Sequence, residues 1–400
     1  MSNVRDYFRN REKRKNNEGI SYKEKIRSHK LAYFYRTVLL LILLAGTLVF
    51  LVFQWNNKIF SEGAIVSSAE VHITQGATAE RLGKNILIYS KDGASCMDEK
   101  GDVLWNQTFE MQNPQISICE EIVAIGDYNG SSIYVMSASQ IMGEINTDTP
   151  IHSFCVAANG MVAVILENGN TTKIRLYAVT SGEMIAEFNT SMKNSGYPIA
   201  VSLSPNGKLV CVSYTYVDSG VLKSSVAFYN FGRVGQNENE YYMSGYNYLD
   251  TVVPYVQFIS NDAAFGVSDD RIMFFSGDER PASVKENMLN EEVQSIYYNK
   301  EYIGLVFHDT SGEALYRLDV YNKAGTLILS KNFNIEYSDI VFYKDQIIVY
   351  NDMECVVINE NGLEKYVGTF QKTAMLMIPI SSYYKYALVS AEAIDIIELK

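Results

Sequence analysis

The segment AVSLSPNGKLVCVSY at Ala200–Tyr214 decides the fold of this chain. Two runs rich in β-branched and alternating residues flank Pro-Asn-Gly, a combination typical of two antiparallel strands joined by a tight turn. Three other segments have the same strand–turn–strand pattern: Phe154–Leu166, Val256–Val267 and Ile296–Phe307. Their recurrence predicts a chain built from repeated hairpins.

A second hairpin follows the first in these repeats. Cys96–Gly101, Val320–Gly325 and Val357–Gly362 each end a strand in a polar turn that contains a glycine, and Leu176–Gly182 is a looser copy. The glycine supplies the positive φ of the turn. We expect the phenylalanine that follows each turn to pack against a neighbouring sheet. These phenylalanines are Phe109, Phe333, Phe370 and Phe188.

Two successive hairpins form a four-stranded antiparallel sheet, which is one blade of a β-propeller. The prediction is an all-β propeller with eight blades, and seven blades are the alternative. The first seven blades are predicted at about 79–113, 114–150, 151–194, 195–249, 250–290, 291–334 and 335–371. Residues 372–400 contain three further strands. We expect Ile65–Thr74 to supply the fourth and to close the ring, since closure removes exposed sheet edges.

The hairpins resemble known repeat families. SLSPNGKLV at Ser202–Val210 resembles the first hairpin of WD40-type repeats, and MDEKGDVLW at Met97–Trp105 resembles the second hairpin of the quinoprotein-type (PQQ-like) repeat. Quinoprotein dehydrogenases have a docking tryptophan in nearly every blade, whereas Trp55 and Trp105 are the only tryptophans here. The resemblance, over about 79–400, therefore concerns shape and not the cofactor. An anchored, acidic, Tyr-rich propeller is also similar to a domain-of-unknown-function family of Gram-positive bacteria, which implies no activity.

The segment Thr37–Phe53 contains seventeen residues without a charge. A helix of this length spans roughly 26 Å, and Leu31–Tyr35 extend it enough to cross a bilayer. We predict an uncleaved signal anchor, because no small-residue cleavage site follows closely. A cleaved signal peptide and a buried core helix are the alternatives. The predicted domains are a tail at 1–36, the anchor at 37–55, a linker at 56–63 and the propeller at 64–400.

Charge predicts the orientation of the anchor. Residues 1–36 have a net charge of +7, whereas the whole chain has −12 and residues 37–400 therefore have −19. Positive residues stay in the cytoplasm, so we expect a cytoplasmic N-terminus and an extracytoplasmic propeller at the cell membrane. We interpret the tail as a topology signal in contact with anionic lipid. A docking peptide around Tyr7 and Phe8 is the alternative, and interspersed acids disfavour a nucleic-acid partner.

Few residues have a pattern that points to chemistry. The sequence contains no recognised catalytic, nucleotide-binding or metal-binding motif, so we predict no catalytic residue, cofactor or metal. Asp269 and Asp270 are weak candidates for a metal or an acid–base site, and Asp309 is a further acid–base candidate. The five cysteines lie in apolar surroundings and are interpreted as core residues, with a Cys119–Cys155 bridge as the alternative. The histidines, interpreted as strand or loop residues, are His29, His72, His152 and His308.

The longest insertion, Gly232–Leu249, contains the candidate interaction surface. Its residues are Tyr241, Tyr242, Met243, Tyr246 and Tyr248, which either form an outer strand or bind a protein or glycan. The predicted function is a non-enzymatic scaffold that holds envelope proteins near the lipid bilayer. The alternatives are a polysaccharide-binding protein, a hydrolase or lyase with its site at the propeller mouth, and a sensor.

Overall fold

The computed structural model describes residues 3–15, 22–168, 171–191 and 196–400. The chain divides into two compact units, Met1–Ile59 and Phe60–Lys400. The first unit contains helices α1 (Asn3–Lys15) and α2 (Tyr22–Asn57). Within α2, His29–Leu51 has a mean hydropathy of 2.2 and no residue buried against the protein, so it is long and apolar enough to cross a membrane. This stretch includes Thr37, and the same helix continues through Phe53.

The second unit is a propeller of eight four-stranded antiparallel sheets, which confirms the predicted all-β fold and the predicted number of blades. In chain order the strands are β1 (Gly63–Glu70), β2 (Thr78–Leu82), β3 (Asn85–Tyr89), β4 (Gly93–Met97), β5 (Val103–Thr108), β6 (Pro114–Cys119), β7 (Ile122–Asp127), β8 (Ser132–Ser137), β9 (Ile141–Asn146), β10 (Ile151–Val156), β11 (Met161–Asn168), β12 (Thr171–Ala178), β13 (Glu183–Ser191), β14 (Tyr197–Leu203), β15 (Leu209–Asp218), β16 (Val221–Asn230), β17 (Tyr242–Tyr248), β18 (Tyr255–Phe258), β19 (Ala263–Val267), β20 (Arg271–Ser276), β21 (Ala282–Met288), β22 (Val293–Tyr298), β23 (Tyr302–His308), β24 (Tyr316–Asn322), β25 (Leu327–Phe333), β26 (Asp339–Tyr343), β27 (Gln346–Tyr350), β28 (Glu354–Asn359), β29 (Glu364–Thr369), β30 (Leu376–Pro379), β31 (Lys385–Val389) and β32 (Ala393–Leu399). Blade 1 is β2–β5, and each following set of four strands forms the next blade.

Blade 8 closes the ring by combining the two ends of the domain. Its strand order is β30, β31, β32 and then β1, with Gly63 paired to Leu399 and Glu70 paired to Ala393. The closing strand was predicted at Ile65–Thr74, but it begins at Gly63 and ends at Glu70. Beyond Glu70 the pairing is no longer a regular strand, but the Val71 and Ile73 amides still donate to the Glu392 and Ala391 carbonyls, at 3.0 and 2.9 Å, before the chain connects to blade 1.

The glycine turns and their phenylalanines also have the predicted geometry. Gly101 and Gly325 have φ of 86° and 75°, the left-handed region that glycine adopts without a steric penalty. Phe109 of blade 1 stacks on Tyr134 of blade 2, with ring centroids 5.3 Å apart. The third and fourth strands of every blade also contain a register shift, which bends the outer strand and limits edge pairing.

The hydrophobic core lies between blades rather than at the centre of the ring. Each of eight clusters of buried residues joins two neighbouring sheets, as Phe228 of blade 4 and Phe275 of blade 5 do with ring centroids 5.0 Å apart. The first strands of neighbouring blades contact one another, so they line the central channel.

The two sides of the propeller differ in their connections. On one side, the turn face, strands one and two and strands three and four of each blade are joined. On the other side, the loop face, strands two and three and successive blades are joined. The chain enters the propeller at the turn face, where the Ser61 amide donates to the Lys400 carbonyl at 3.1 Å. The loop face therefore lies on the opposite side from the point where the chain enters.

Replacing Gly325 with alanine tests the contact between blades 5 and 6. A Cβ at this position would lie 2.6 Å from the fully buried Phe274 ring, in addition to requiring a left-handed backbone. Gly312 has a similar φ of 77° but no atom within 4 Å of the added Cβ, so Gly312→Ala is the matched control. We expect Gly325→Ala to cost about 2 kcal/mol more than the control in urea unfolding. If both variants lost the same free energy of unfolding, the Phe274 ring and the turn that contains Gly325 would be able to move apart without cost.

Candidate functional site

The predicted tyrosine surface does not form one continuous face. The outer strand β17 has a bulge at which Ser244 pairs with Phe228 and Tyr242 pairs with Tyr229, and the bulge turns Tyr242 toward the blade 3 side. Tyr246 instead donates to the Pro281 carbonyl of blade 5 at 3.1 Å.

Burial reduces the predicted surface further. Met243 and Tyr248 are 4% and 5% exposed, so they pack in the core and supply no contact area, which corrects their assignment to the surface. Tyr242 is 47% exposed, whereas Tyr241 and Tyr246 are half-buried. The available part of the surface is therefore Tyr242 with the edge of Tyr241.

The insertion before β17, residues 231–241, closes on itself. The rings of Phe231 and Tyr241 at its two ends pack with centroids 4.8 Å apart. Gly235 lies so close to the chain that a Cβ would be 1.7 Å from the Asn230 carbonyl oxygen. Its Glu238 forms an ion pair with Arg280 of blade 5 at 3.0 Å. The insertion is therefore held both by its own packing and by an ion pair to blade 5.

The loop face is more acidic than the turn face. Its connections contain thirteen Asp or Glu and three Lys or Arg, whereas the connections of the turn face contain thirteen and eight. The difference arises because the basic residues are concentrated on the turn face. The walls of a cleft have a low dielectric constant and concentrate the electric field of nearby charges. A cleft on the loop face therefore attracts positively charged groups.

Such a cleft lies between blades 5 and 6. A cavity of about 840 Å³ opens on the loop face, and it is lined by Asp269, Glu291 and Glu292 together with Tyr255. Among the described residues that line it, none is Lys or Arg. Arg317 lies behind the wall, with its Nη2 2.8 Å from Glu291 Oε2. Glu292 is exposed, so its charge is presented to whatever occupies the cavity.

Each of the three aspartates considered as acid–base residues accepts hydrogen bonds from its own set of donors. Asp270 accepts two hydrogen bonds from Arg271, at 2.9 and 2.7 Å, which lowers the pKa of its carboxyl to about 2. Asp309 is partly exposed and accepts hydrogen bonds from Ser311 and from backbone amides of its own loop. Asp269 accepts a hydrogen bond from Thr251. Asp270 and Asp309 therefore stabilise their own segments, and Asp269 joins its loop to the loop before β18.

A different carboxyl pair, Glu80 and Asp339, lies in the channel. Glu80 is on β2 of blade 1 and Asp339 is on β26 of blade 7, so the two residues flank blade 8. Burial, and secondarily the charge of Asp339, raises the pKa of Glu80 to about 7. Burial also raises the pKa of Asp339, although Tyr350 donates to its carboxylate at 3.0 Å. Sequence analysis missed this pair, because no local pattern brings residues of blades 1 and 7 together.

At the turn face, an ion pair crosses the channel. Lys300 of blade 6 lies 2.9 Å from Glu120 of blade 2, and these blades stand opposite each other in a ring of eight. A cavity of about 530 Å³ lies there, lined by residues of blades 1, 2, 4, 5 and 6. The pair therefore narrows the turn-face end of the channel, while the larger cleft opens on the loop face.

Comparison with known proteins places this architecture in a family. Residues 56–399 match the family of unknown function DUF5711. The chain belongs to this family. The match confirms the predicted likeness to a domain-of-unknown-function family, whereas the bacterial group and the repeat type stay predictions. No curated protein matches the sequence at a significant level.

Solved structures of other proteins have a fold similar to this DUF5711 propeller. BamB from Moraxella catarrhalis has a TM-score of 0.52 at 11% identity, and the match covers 84% of this chain and 100% of that chain. Apo AztD from Citrobacter koseri has a TM-score of 0.50 at 11% identity, over 74% and 87% of the two chains. At these identities the likeness shows the fold alone.

The cysteines of this DUF5711 chain are all free thiols, so the alternative Cys119–Cys155 bridge is not formed. Burial raises the pKa of Cys119 to about 11 and that of Cys96 to about 12, which keeps both in the unreactive thiol form. In the described part of the chain, no group of three His, Cys, Asp or Glu side chains is placed to hold a metal ion.

Proposed function

We propose that this protein is a single-pass membrane protein whose extracytoplasmic propeller acts as a non-enzymatic scaffold and binds a basic protein partner on its loop face. The observation that carries the proposal is the acidic cavity between blades 5 and 6. The cavity lies on the loop face, whereas the chain enters the propeller at the turn face.

The apolar helix and the charge of the tail support the membrane assignment. His29–Leu51 satisfies the length and hydropathy of a membrane span, and the basic residues before it favour a cytoplasmic N-terminus. In this orientation the acidic propeller faces the outside.

The charge of the cavity supports a basic protein segment as the partner. Asp269, Glu291 and Glu292 line the cavity, and although Arg317 pairs with Glu291 and Thr251 donates to Asp269, the exposed Glu292 carboxylate can pair with a Lys or Arg side chain. Val252 and Pro254 add apolar lining that suits the stem of a long basic side chain. A Lys or Arg side chain of a protein supplies both the positive charge and the apolar stem.

In-cell crosslinking tests this proposal. A photo-crosslinking residue at Gln294, exposed and lining the cavity, should capture a defined envelope protein, whereas the same residue at Lys100 on the turn face should not. Glu292→Lys should reduce the yield from Gln294 by roughly fivefold or more, because it places a like charge against the partner.

Glu99→Lys is the matched control, since it makes the same charge change at an exposed residue of the turn face. It should leave the yield from Gln294 unchanged. Equal yields from Gln294 and Lys100, or no effect of Glu292→Lys, would contradict the assignment of the loop face.

The channel pair favours a second candidate function, a hydrolase or lyase that acts on an envelope polymer. A carboxyl group with a pKa near neutrality beside a second carboxyl is suited to proton transfer. Polymer cleavage by the full chain that is lost in Glu80→Gln, with no protein captured at Gln294, would favour this candidate over the scaffold.

A further inference from the structure

A cavity of about 420 Å³ lies beside the insertion of blade 4, and we name it the tyrosine groove. Its floor contains the hydroxyl groups of Tyr214 and Tyr229, which are 2.8 Å apart on almost fully buried side chains. Tyr242, Glu240 and Asn247 form its walls, with Tyr242 the most exposed aromatic residue. The volume lies within the range of small-ligand sites.

The groove exists because blade 4 differs from the other blades. The turn between its third and fourth strands has eleven residues, whereas the corresponding turns of the first seven blades otherwise have three to five. Within it, Glu240 and Tyr241 have φ of 53° and 60°, a left-handed conformation that bulky residues rarely adopt. Such strained backbone persists where the surrounding structure imposes it.

This turn places Glu240, an exposed residue, in the lining of the groove together with the buried tyrosine pair. Burial raises the pKa of Tyr229 to about 12, and the charge of Glu240 contributes to that rise. Among the described residues, no Lys or Arg forms an ion pair with Glu240, and none lines the groove. Of the two carboxylates that line the groove, Glu238 is paired with Arg280, which is not a lining residue, so the groove itself offers the Glu240 carboxylate, phenol hydroxyls and amides to a ligand.

We propose that the tyrosine groove binds an uncharged saccharide chain. A sugar ring presents an apolar C–H face that packs on an aromatic ring such as Tyr242, and its hydroxyl groups donate to carboxylate and amide oxygens of the kind at Glu240 and Asn247. An anionic ligand would meet the Glu240 charge without a compensating cation. A purely apolar ligand would leave the polar walls without hydrogen bonds.

The inference does not rest on the partner proposed for the loop face. The groove belongs to blade 4 and its turn-face insertion, whereas the acidic cavity belongs to the loop face of blades 5 and 6. The two can be tested with separate variants.

The test is calorimetric titration of the full chain in lipid nanodiscs, since sugar-headed detergents would compete. The probes are the uncharged sugars cellotetraose, tetra-N-acetylchitotetraose, maltotetraose and mannotetraose. At least one should bind, and Tyr242→Ala should weaken that binding about tenfold or more. Tyr242→Phe keeps the ring and should retain most of the affinity, and Glu240→Gln should weaken binding less than Tyr242→Ala.

The matched control is Tyr383→Ala, which removes a tyrosine of similar exposure, 48% against 47%, from a turn of blade 8. It should leave the affinity unchanged, and both alanine variants should unfold at the temperature of the unaltered protein. The proposal is overturned if none of the four tetrasaccharides binds, or if Tyr242→Ala and Tyr383→Ala have the same affinity. Binding of tetralysine at Tyr242 without binding of any sugar would reassign the groove to a basic peptide.

Discussion

Deleting β1, Gly63–Glu70, is expected to open the propeller and to lower its free energy of unfolding by roughly 5 kcal/mol or more. The deletion leaves the paired edge of β32 without its partner over the whole of Ala393–Leu399. The loss is mainly one of backbone hydrogen bonds, because the side chains of β1 are largely exposed.

Two buried groups add to this loss. Ser68 donates to the buried Asp395 carboxylate at 2.5 Å, and the deletion removes that donor. Phe60 packs against Tyr384 with ring centroids 4.5 Å apart, and the deletion pulls its segment away from this site. Removing a buried aromatic side chain alone costs roughly 3–5 kcal/mol.

Chemical denaturation of residues 60–400 with and without β1 measures this effect. A circular permutant is the control, because the Lys400 amide donates to the Glu62 carbonyl at 2.9 Å and a short linker can therefore join the two ends. New ends between the exposed Gln75 and Gly76 return β1 to its place after β32. The permutant should unfold like the unaltered unit. An unchanged transition in the deletion variant would show that three strands suffice for blade 8.

Glu80→Gln is expected to stabilise the propeller by up to about 3 kcal/mol at pH 8 and to have little effect at pH 4. The folded protein holds the proton of Glu80 up to a pKa of about 7, whereas the ordinary value is 4.5. Between these values the folded state binds a proton that the unfolded state has released. The contribution of Glu80 to the free energy of unfolding is therefore fully present below pH 4.5 and is lost as pH rises through 7.

Urea unfolding of both proteins at pH 4, 6 and 8 measures this difference. Glutamine has the size of glutamate and, like the protonated carboxyl, one carbonyl acceptor and one donor group without a charge, so the advantage of the variant should grow with pH. Asp339→Asn is a poorer probe, because it also changes the group that accepts the Tyr350 hydrogen bond. A difference that is the same at pH 4 and pH 8 would indicate altered packing rather than ionisation.

The candidate sites differ in how far sequence predicts them. The unusual insertion of blade 4 was visible as a long polar segment, because its length and composition are local properties. The sequence did not show which of its tyrosines reach the surface. The bulge opposite Tyr229 sends Tyr242 and Tyr246 to different sides of blade 4. A strict alternation of side chains would have placed both on one face.

Local patterns determined the architecture. Alternating apolar residues, tight turns and recurrent glycines predict hairpins, and counting hairpins predicts eight blades and a last blade that needs a strand from the N-terminal side. These features depend on neighbours within a few residues, so one sequence suffices. Closure of the propeller then brings together residues that are far apart in the sequence. The charge of Asp339 acts on Glu80, and Lys300 pairs with Glu120 across the channel. Only the tertiary structure could decide these contacts, because they join side chains from different blades.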